Sequence, residues 1–287
     1  MFGDSTSSLE EVQWPALIFN LKNRKLVPFL GAGASLGSNE SIGLPSGSEL
    51  ARILAKDCAY IGDDINDLPR VAQYFALTMG GTTLRHTIQS KLSLPSVKPS
   101  EVHNIIAKWP IEVVLTTNFD SLMERAFAMT GKSPFCYTYE RRSDQKQIGA
   151  TPTIDQPLVY KLHGSIENKD SMVVTEDDTI DFLVSMIKGD PKIPDLIGSL
   201  FTTSSILFVG YGLKDWNIRV LLRHFRETQA DIRSFAIQRF HPRLPVDQAE
   251  QEWKRMVLYW EYKKVSIYNC DALDFLRELD RRYREEV

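Results

Sequence analysis

Short apolar runs alternate with amphipathic stretches along most of this chain. The first run, LVPFL at residues 26–30, ends at a glycine, and IEVVLTTN at residues 111–118 ends at polar residues. Four further runs of similar character lie at residues 157–165, 204–212, 233–238 and 263–268. Such short runs are typical of buried strands, and most of the stretches between them repeat apolar residues at helical spacing. The pattern predicts an α/β protein with a Rossmann-like, mostly parallel sheet covered by helices on both faces.

Two stretches interrupt this alternation and predict helical material beside the sheet. Residues 57–108 repeat apolar positions at helical spacing without a strand between them, and residues 166–203 are polar at first and then helical. Residues 134–156 contain prolines, glycine and arginines, and we expect a loop there. We predict a single domain over residues 1–287 with an inserted helical lobe. The core is expected at about residues 20–56, 109–165 and 204–287, and the insertions at about 57–108 and 166–203.

Composition and charge narrow the class of protein. The chain has 287 residues, and its 34 Lys and Arg stand against 37 Asp and Glu, for a net charge of −3. This weakly acidic balance gives no general attraction to nucleic acid or anionic lipid, so direct binding to either is not expected. No apolar stretch approaches the roughly 20 residues that span a bilayer. Because the first residues also lack the order of a secretion signal, we expect a cytoplasmic protein.

The cysteines argue against a metal site. Cys58, Cys136 and Cys270 are far apart and form no C-x-x-C pair. This spacing excludes a zinc module of the usual kind and disfavours a disulfide framework. We therefore expect reduced thiols and no bound metal.

Polar or glycine-rich turns follow four of the predicted strands. GAGAS at residues 31–35 follows the first, and TTNFD, LHGS and GYGLKD follow three later ones. The carboxyl ends of parallel strands meet at one edge of a sheet, where open α/β proteins bind ligands, so the four turns predict one site. Gly31 and Gly33 would let the backbone approach a pyrophosphate closely. The next glycine, Gly37, comes one position later than the dinucleotide-binding fingerprint requires, which argues against an ordinary dehydrogenase.

Side chains at these turns are suited to catalysis or binding, and each also has a structural interpretation. Asn118 carries donors and an acceptor that could position a water or a ribose hydroxyl; otherwise it is a turn residue. His163 is suited to proton transfer near neutral pH; otherwise it is a structural histidine. Asp120 and Asp215 either contact a ligand or cap the helices that follow them, and the sequence leaves both interpretations open.

Taken in order, the motifs GAGAS, GLP, TTNFD, LHGS and GYGL resemble those of the sirtuin superfamily, over roughly residues 26–276. The resemblance implies that NAD binds at the strand ends as the substrate and that LHGS carries the catalytic histidine, His163. It implies contacts to NAD from the following residues: Gly31, Ala32, Gly33, Ser35, Pro45, Thr117, Asp120, Gly210, Gly212 and Asp215.

The chain also departs from the pattern of the protein deacetylases in this superfamily. Those enzymes carry a four-cysteine zinc module after the histidine, whereas here only Cys270 follows it. Ser46, Gly47 and Ser48 stand where those enzymes have an Asp-Phe-Arg run. The chain instead looks like the zinc-less bacterial sirtuin-like domains that hydrolyse NAD during anti-phage defence. That resemblance implies activation by a partner such as a HerA-type ATPase or helicase or an Argonaute-like protein. We also expect a homo-oligomer, because 287 residues leave little room for a regulatory domain.

These observations predict a NAD glycohydrolase that releases nicotinamide and ADP-ribose. The nicotinamide of NAD is a cationic leaving group, so cleavage mainly requires stabilising an oxocarbenium-like ribose and directing a nucleophile at it. Asn118 would orient the attacking water and the ribose, and His163 would act as the general base on a ribose hydroxyl or on that water. Two alternatives are NAD-dependent lysine deacylation and non-catalytic binding of NAD or ADP-ribose by a sensor module.

Overall fold

The strands form a single parallel sheet. A computed structural model describes residues 7–37, 42–140, 148–213, 216–226, 232–239 and 246–287. The strands in these residues are β1 (Leu26–Leu30), β2 (Val113–Thr116), β3 (Phe135–Thr138), β4 (Leu158–Lys161), β5 (Ser205–Val209), β6 (Ser234–Ile237) and β7 (Val265–Tyr268). Their order in the sheet is β3-β4-β2-β1-β5-β6-β7, and each neighbouring pair is parallel. The predicted Rossmann-like parallel sheet is confirmed.

Each of the predicted strands is found, but the prediction of a loop over residues 134–156 is wrong at its start. Phe135–Thr138 form β3, which pairs with β4 at one edge of the sheet. An edge strand is covered less than an inner one, and none of the four residues of β3 is fully buried. It therefore lacks the continuous apolar run that marks the buried strands in the sequence.

Strand β1 lies at the point where the order of the sheet reverses. Leu30, at the end of β1, is in register with Thr116 of β2 on one side and with Val209 of β5 on the other. Strands β2, β3 and β4 lie on one side of β1 and come next in the chain, and β5, β6 and β7 follow on its other side. Turns that leave adjacent strands in opposite directions open a crevice at their carboxyl ends, which is where this class of sheet binds ligands.

Helices cover both faces of the sheet. Those in the described residues are α1 (Ser7–Glu10), α2 (Trp14–Lys22), α3 (Gly47–Asp57), α4 (Leu68–Met79), α5 (Gly81–Leu92), α6 (Glu101–Lys108), α7 (Leu122–Met129), α8 (Glu176–Lys188), α9 (Asp195–Thr203), α10 (Trp216–Arg226), α11 (Val246–Tyr262) and α12 (Ala272–Glu285). Side chains of α2, α6, α7 and α12 share one core with one face of the strands. Side chains of α8, α9, α10 and α11 share a second core with the other face.

A third core belongs to a helical lobe made of α3, α4 and α5. Leu54, Phe75 and Ile88 are buried in it, together with Ile166 and Met172 from the segment that follows β4. The lobe therefore includes α3, whereas α6 packs against the sheet rather than in the lobe. The lobe stands beside the carboxyl ends of the strands, as its contact with the segment after β4 requires.

Among the helices described above, none combines the length and the apolar character that a membrane span requires. All three cysteines are free thiols, and Cys58 and Cys270 are buried.

Candidate active site at the strand ends

A cavity of about 730 Å³ opens between the carboxyl edge of the sheet and the helical lobe. Pockets that hold small molecules usually enclose about 300 to 1,000 Å³. From the strand ends it is lined by Ala32, Ser35, Thr117, Asn118, Phe119, Asp120, His163, Gly210, Tyr211 and Gly212. Its opposite wall includes Leu44, Pro45, Ser46, Gly47, Ser48, Leu50, Asp67, Leu68, Val173, Glu176 and Thr179. We call this space the strand-end cavity.

The turn after β1 and the end of β5 pack backbone against backbone. Gly33 N donates to the Gly210 carbonyl at 2.8 Å, and Gly31 N donates to the Val209 carbonyl at 3.0 Å. A Cβ atom on Gly33 would lie 2.7 Å from the Gly210 Cα, and Gly210 itself has a φ of +66°. These glycines are therefore required for the close approach of the two turns. Ala32 and Gly210 line the strand-end cavity, and Gly31 and Gly33 support it from the contact between the turns.

The orientation of the Asn118 amide is fixed by its neighbours. Asn118 Nδ2 donates to the Gly31 carbonyl at 3.0 Å and to Ser35 Oγ at 3.2 Å. A backbone carbonyl can only accept, so the nitrogen must face Gly31. The backbone N–H of Asn118 donates to Thr116 Oγ1 at 2.9 Å, which holds the turn itself. With both Nδ2 hydrogens engaged, Oδ1 is the atom through which Asn118 can act on a ligand.

Asp120 anchors this network to α7. Its Oδ2 accepts from Ser35 Oγ at 3.0 Å, and its Oδ1 accepts from the Leu122 backbone N–H at 2.9 Å, at the start of α7. One carboxylate oxygen of Asp120, Oδ1, therefore accepts a hydrogen bond from the start of α7, as the capping interpretation expects. Asp120 also lines the strand-end cavity, so a contact to a ligand stays a prediction.

His163 lines the same cavity as Asn118. It follows β4 and is 9% exposed, and its ring meets Phe182 edge-on with the ring centroids 4.9 Å apart. Its carbonyl accepts from the Val173 N–H at 2.8 Å. Gly164, with a φ of +92°, lets the chain turn there, since a Cβ would lie 2.3 Å from the Ser171 carbonyl oxygen. The two predicted catalytic side chains thus face one space, and their roles stay predictions.

Of the other residues predicted to contact NAD, three line the cavity and one lies outside the described residues. Pro45, Thr117 and Gly212 line the strand-end cavity. The Thr117 N–H donates to the Leu30 carbonyl at 3.2 Å, which ties this turn to β1. Asp215 lies outside the described residues, so its two interpretations stay open.

The sequence analysis did not single out Lys161, which is 1% exposed and lies beneath the site. Its Nζ donates to the Asp120 carbonyl at 2.6 Å and pairs with Glu124 Oε1 at 2.9 Å. Burial is the largest single influence and would lower the pKa of Lys161, but the groups that face the ammonium, Glu124 foremost, together outweigh it, and the pKa is raised. The signal in the sequence was a charged residue inside the apolar run LVYKL.

His103, which the sequence places in a helix away from the strand ends, also packs behind the site. It is buried, and its Nδ1 accepts from the Ser100 N–H at 3.2 Å. Ser100 Oγ donates to the Ala34 carbonyl at 2.7 Å, in the glycine-rich turn. Burial lowers the pKa of His103 to about 4, although the charge of Asp120 opposes this shift. His103 is therefore neutral near pH 7 and supports the turn from behind.

Within the described ranges, no group of three or more His, Cys, Asp and Glu side chains is arranged to hold a metal ion.

A parallel sheet with a glycine-rich turn and a cavity at its reversal point is the arrangement of open α/β proteins that bind ligands at their strand ends. A family model described as a SIR2-like domain matches residues 112–268. The match covers more than half of the chain, which therefore belongs to the SIR2-like domain family.

The chain is similar in sequence to several bacterial proteins. The chain is 31% identical over 201 residues to "NAD(+) hydrolase ThsA" of Bacillus cereus (strain MSX-D12), covering 69% of this chain and 39% of that protein. It is 29% identical over 208 residues to the protein of the same name from Enterococcus faecium, covering 69% and 39%. It is 29% identical over 187 residues to "Defense-associated sirtuin 2" of Bacillus subtilis, covering 64% and 17%. The chain thus spans about two fifths of the length of these two ThsA relatives.

The fold also has a counterpart among solved structures. A chain from "Structural Basis for the Mechanism and Regulation of Sir2 Enzymes" aligns with a TM-score of 0.50 and 15% identity, covering 96% of this chain and 98% of that one. At this identity the likeness shows the fold alone.

Proposed function

We propose that this chain is a NAD⁺ glycohydrolase that cleaves NAD⁺ to nicotinamide and ADP-ribose. The observation that carries the proposal is that Asn118 and His163 line one cavity at the reversal point of the sheet. Membership of the SIR2-like family and the names of the ThsA relatives support NAD as the substrate.

The chemistry of NAD makes modest demands on the site. The bond between nicotinamide and ribose breaks with its electron pair going to the pyridinium nitrogen, so nicotinamide leaves as a neutral molecule. Glycosidases protonate their leaving groups and use two carboxylates to do so. Here the leaving group needs no proton, and the site has to stabilise the developing ribose cation and supply water. An amide and an imidazole are sufficient for those tasks.

In this mechanism Asn118 and His163 have separate roles. Asn118 Oδ1, whose direction is set by the two hydrogen bonds of Nδ2, accepts from the attacking water or from a ribose hydroxyl. His163 takes a proton from the attacking water while the water oxygen bonds to the anomeric carbon of the ribose. The histidine then releases this proton to solvent. Removal of a general base typically lowers the rate about 10²- to 10⁴-fold.

The rest of NAD would lie along the strand ends. Ala32 and Ser35 would hold the pyrophosphate at the glycine-rich turn that Gly31 and Gly33 shape. Asp120, Gly210 and Gly212 would fix the ribose and adenine side. Pro45 and Thr117 complete the walls, and Asp215, outside the described residues, belongs to the same proposal.

We further propose a setting for this activity. The name of the Bacillus subtilis relative supports a role in defence. An uncontrolled NADase would deplete its own cell, so the chain would act in the cytoplasm as an anti-phage effector that a partner or assembly switches on. Assembly would produce a homo-oligomer, and the candidate partners are a HerA-type ATPase or helicase and an Argonaute-like protein.

Nicotinamide release from NAD by the purified chain, with and without a candidate partner, tests the proposal. Asn118→Ala and His163→Ala should each abolish most of the release, and His86→Ala, an exposed histidine on α5, should not. Undiminished release from both site variants would remove the mechanism. NAD consumption only with an acyl-lysine peptide would favour deacylation. Tight binding of NAD without turnover under every condition would favour a sensor.

A further inference from the structure

Lys161 is a fully buried lysine at the end of an inner strand. A lysine is almost never fully buried unless its charge is paired. Its Nζ lies 2.9 Å from Glu124 Oε1 on α7 and 3.8 Å from Glu167 Oε2, and it donates to the Asp120 carbonyl at 2.6 Å. The ammonium therefore contacts the turn after β2, helix α7 and the segment after β4.

These contacts join the two segments that bear the proposed catalytic pair. Asn118 lies two residues before Asp120, whose carbonyl Lys161 holds. His163 lies two residues after Lys161 on the same strand end. Thr116 and Lys161 are also in register across β2 and β4, so the two segments leave the sheet side by side. The Lys161 side chain thus ties one segment to the other just before they reach the cavity.

The burial of this charge is compensated locally. The Glu124 carboxylate faces the ammonium, and the pKa of Lys161 is raised rather than lowered despite its burial. The lysine therefore keeps its charge throughout the pH range in which a histidine base works. A charged hydrogen bond of this kind is shorter and stronger than a neutral one, which suits it to fixing a backbone carbonyl.

We propose that Lys161 is a positioning residue that sets the geometry between Asn118 and His163. The proposal rests on the NAD hydrolase function proposed above. A displacement of about 1 Å between reacting groups can lower a rate about 100-fold without weakening substrate binding much. Loss of the Lys161 ammonium should therefore lower kcat and leave the KM for NAD almost unchanged.

Lys161→Met removes the ammonium and keeps most of the side-chain volume. We expect kcat for nicotinamide release to fall about 10- to 100-fold. The KM for NAD should change less than about threefold, because the contacts to the nucleotide remain. Lys132→Met is the matched control, since Lys132 is half-buried and donates to the Trp109 carbonyl at 2.8 Å. Lys132 is not among the residues that line the cavity, so its loss should lower the melting temperature and leave kcat unchanged.

A second variant keeps the test decisive if Lys161→Met does not fold. Glu124→Gln weakens the hold on the ammonium while keeping a hydrogen-bonding oxygen, and it should lower kcat several-fold with KM unchanged. The positioning role is overturned if Lys161→Met has the wild-type kcat. If only Glu124→Gln folds, a wild-type kcat in that variant overturns it. So does a raised KM at unchanged kcat. A wild-type chain that releases no nicotinamide with any partner instead overturns the proposed function, and this role with it.

Discussion

Asn118 Nδ2 lies 3.0 Å from the carbonyl oxygen of Gly31, so the turn after β1 directly orients the amide at the end of β2. The same nitrogen lies 3.2 Å from Ser35 Oγ, which in turn donates to Asp120. The glycine-rich turn thus does more than shape the wall of the strand-end cavity. It forms one hydrogen-bonded unit with the side chain proposed to orient the water.

Ser35→Ala distinguishes two roles for this serine. A contact with the pyrophosphate would raise the KM for NAD when the hydroxyl is lost. Because the hydroxyl also links Asn118 to Asp120, we expect a fall in kcat of about tenfold, equivalent to about 1.4 kcal/mol, in addition to any rise in KM from the proposed pyrophosphate contact. Steady-state kinetics of nicotinamide release measures both constants.

Ser48→Ala is the control for this experiment. Ser48 is half-buried and lines the same cavity from the lobe, at the start of α3. Its loss should leave kcat near the wild-type value. A higher KM at full kcat in Ser35→Ala would assign the hydroxyl to the phosphate and contradict the orienting role.

His103 makes stability depend on pH in a defined direction. Burial lowers the pKa of His103 in the folded chain from 6.5 to about 4. Between these two pH values the unfolded chain therefore binds a proton that the folded chain does not bind. The free energy of unfolding should therefore rise with pH between about 4 and 6.5 and lose this contribution on acidification. Protonation at low pH should cost on the order of a few kcal/mol.

Denaturant unfolding of the wild-type chain and of His103→Gln at several pH values measures this contribution. Glutamine cannot take up the proton, so the slope of stability against pH should be shallower in the variant. His86→Gln, at an exposed position on α5, should retain the wild-type slope. Parallel slopes for wild type and His103→Gln would show that His103 is not the group responsible.

The segment after His163 depends on a partly buried ion pair. Arg85 Nη2 pairs with Asp178 at 3.2 Å, and Arg85 Nη1 donates to the Met172 carbonyl at 2.8 Å. Asp178 also accepts from the backbone N–H groups of Val174 and Thr175. We expect Asp178→Ala to lower the free energy of unfolding by about 2 to 4 kcal/mol, since it removes the carboxylate that pairs with Arg85 Nη2 and accepts from two backbone N–H groups.

Thermal and denaturant unfolding measure this loss. Glu285→Ala breaks an exposed pair with Arg281 on α12 and should cost less than about 1 kcal/mol. Equal losses in the two variants would mean that burial does not increase the contribution of the Arg85–Asp178 pair to the free energy of unfolding.

The sequence predicted the parts of the site that local patterns control. The run that ends at Asn118 and the run that contains His163 are buried strands in a parallel sheet, and such strands must bring their carboxyl ends to one edge. The charge of Lys161 stands out within the apolar run LVYKL, but its role is not visible locally, because its partners Asp120 and Glu124 are about 40 residues away in the chain. Strand β3 was missed for the related reason that an edge strand need not be continuously apolar.

The last prediction concerns the contact between the two glycine-bearing turns. Gly210→Ala places a Cβ 2.2 Å from the backbone nitrogen of Ala34, at a φ of +66° that L-residues rarely adopt. Neither the short contact nor the unfavourable φ is relieved by rotating a side chain, because both involve backbone atoms. We expect the free energy of unfolding to fall by about 2 to 4 kcal/mol, with loss of nicotinamide release as the turn after β1 is displaced. Chemical denaturation and NAD turnover measure the two effects.

Gly212→Ala is the matched control two residues further along. A Cβ there meets no heavy atom within 4 Å, so stability should change by less than about 0.5 kcal/mol. Gly212 lines the cavity, and a new methyl group would then act on the KM for NAD rather than on folding. If Gly210→Ala unfolds at the wild-type denaturant concentration, the two turns are not held in the close contact from which the orientation of Asn118 derives.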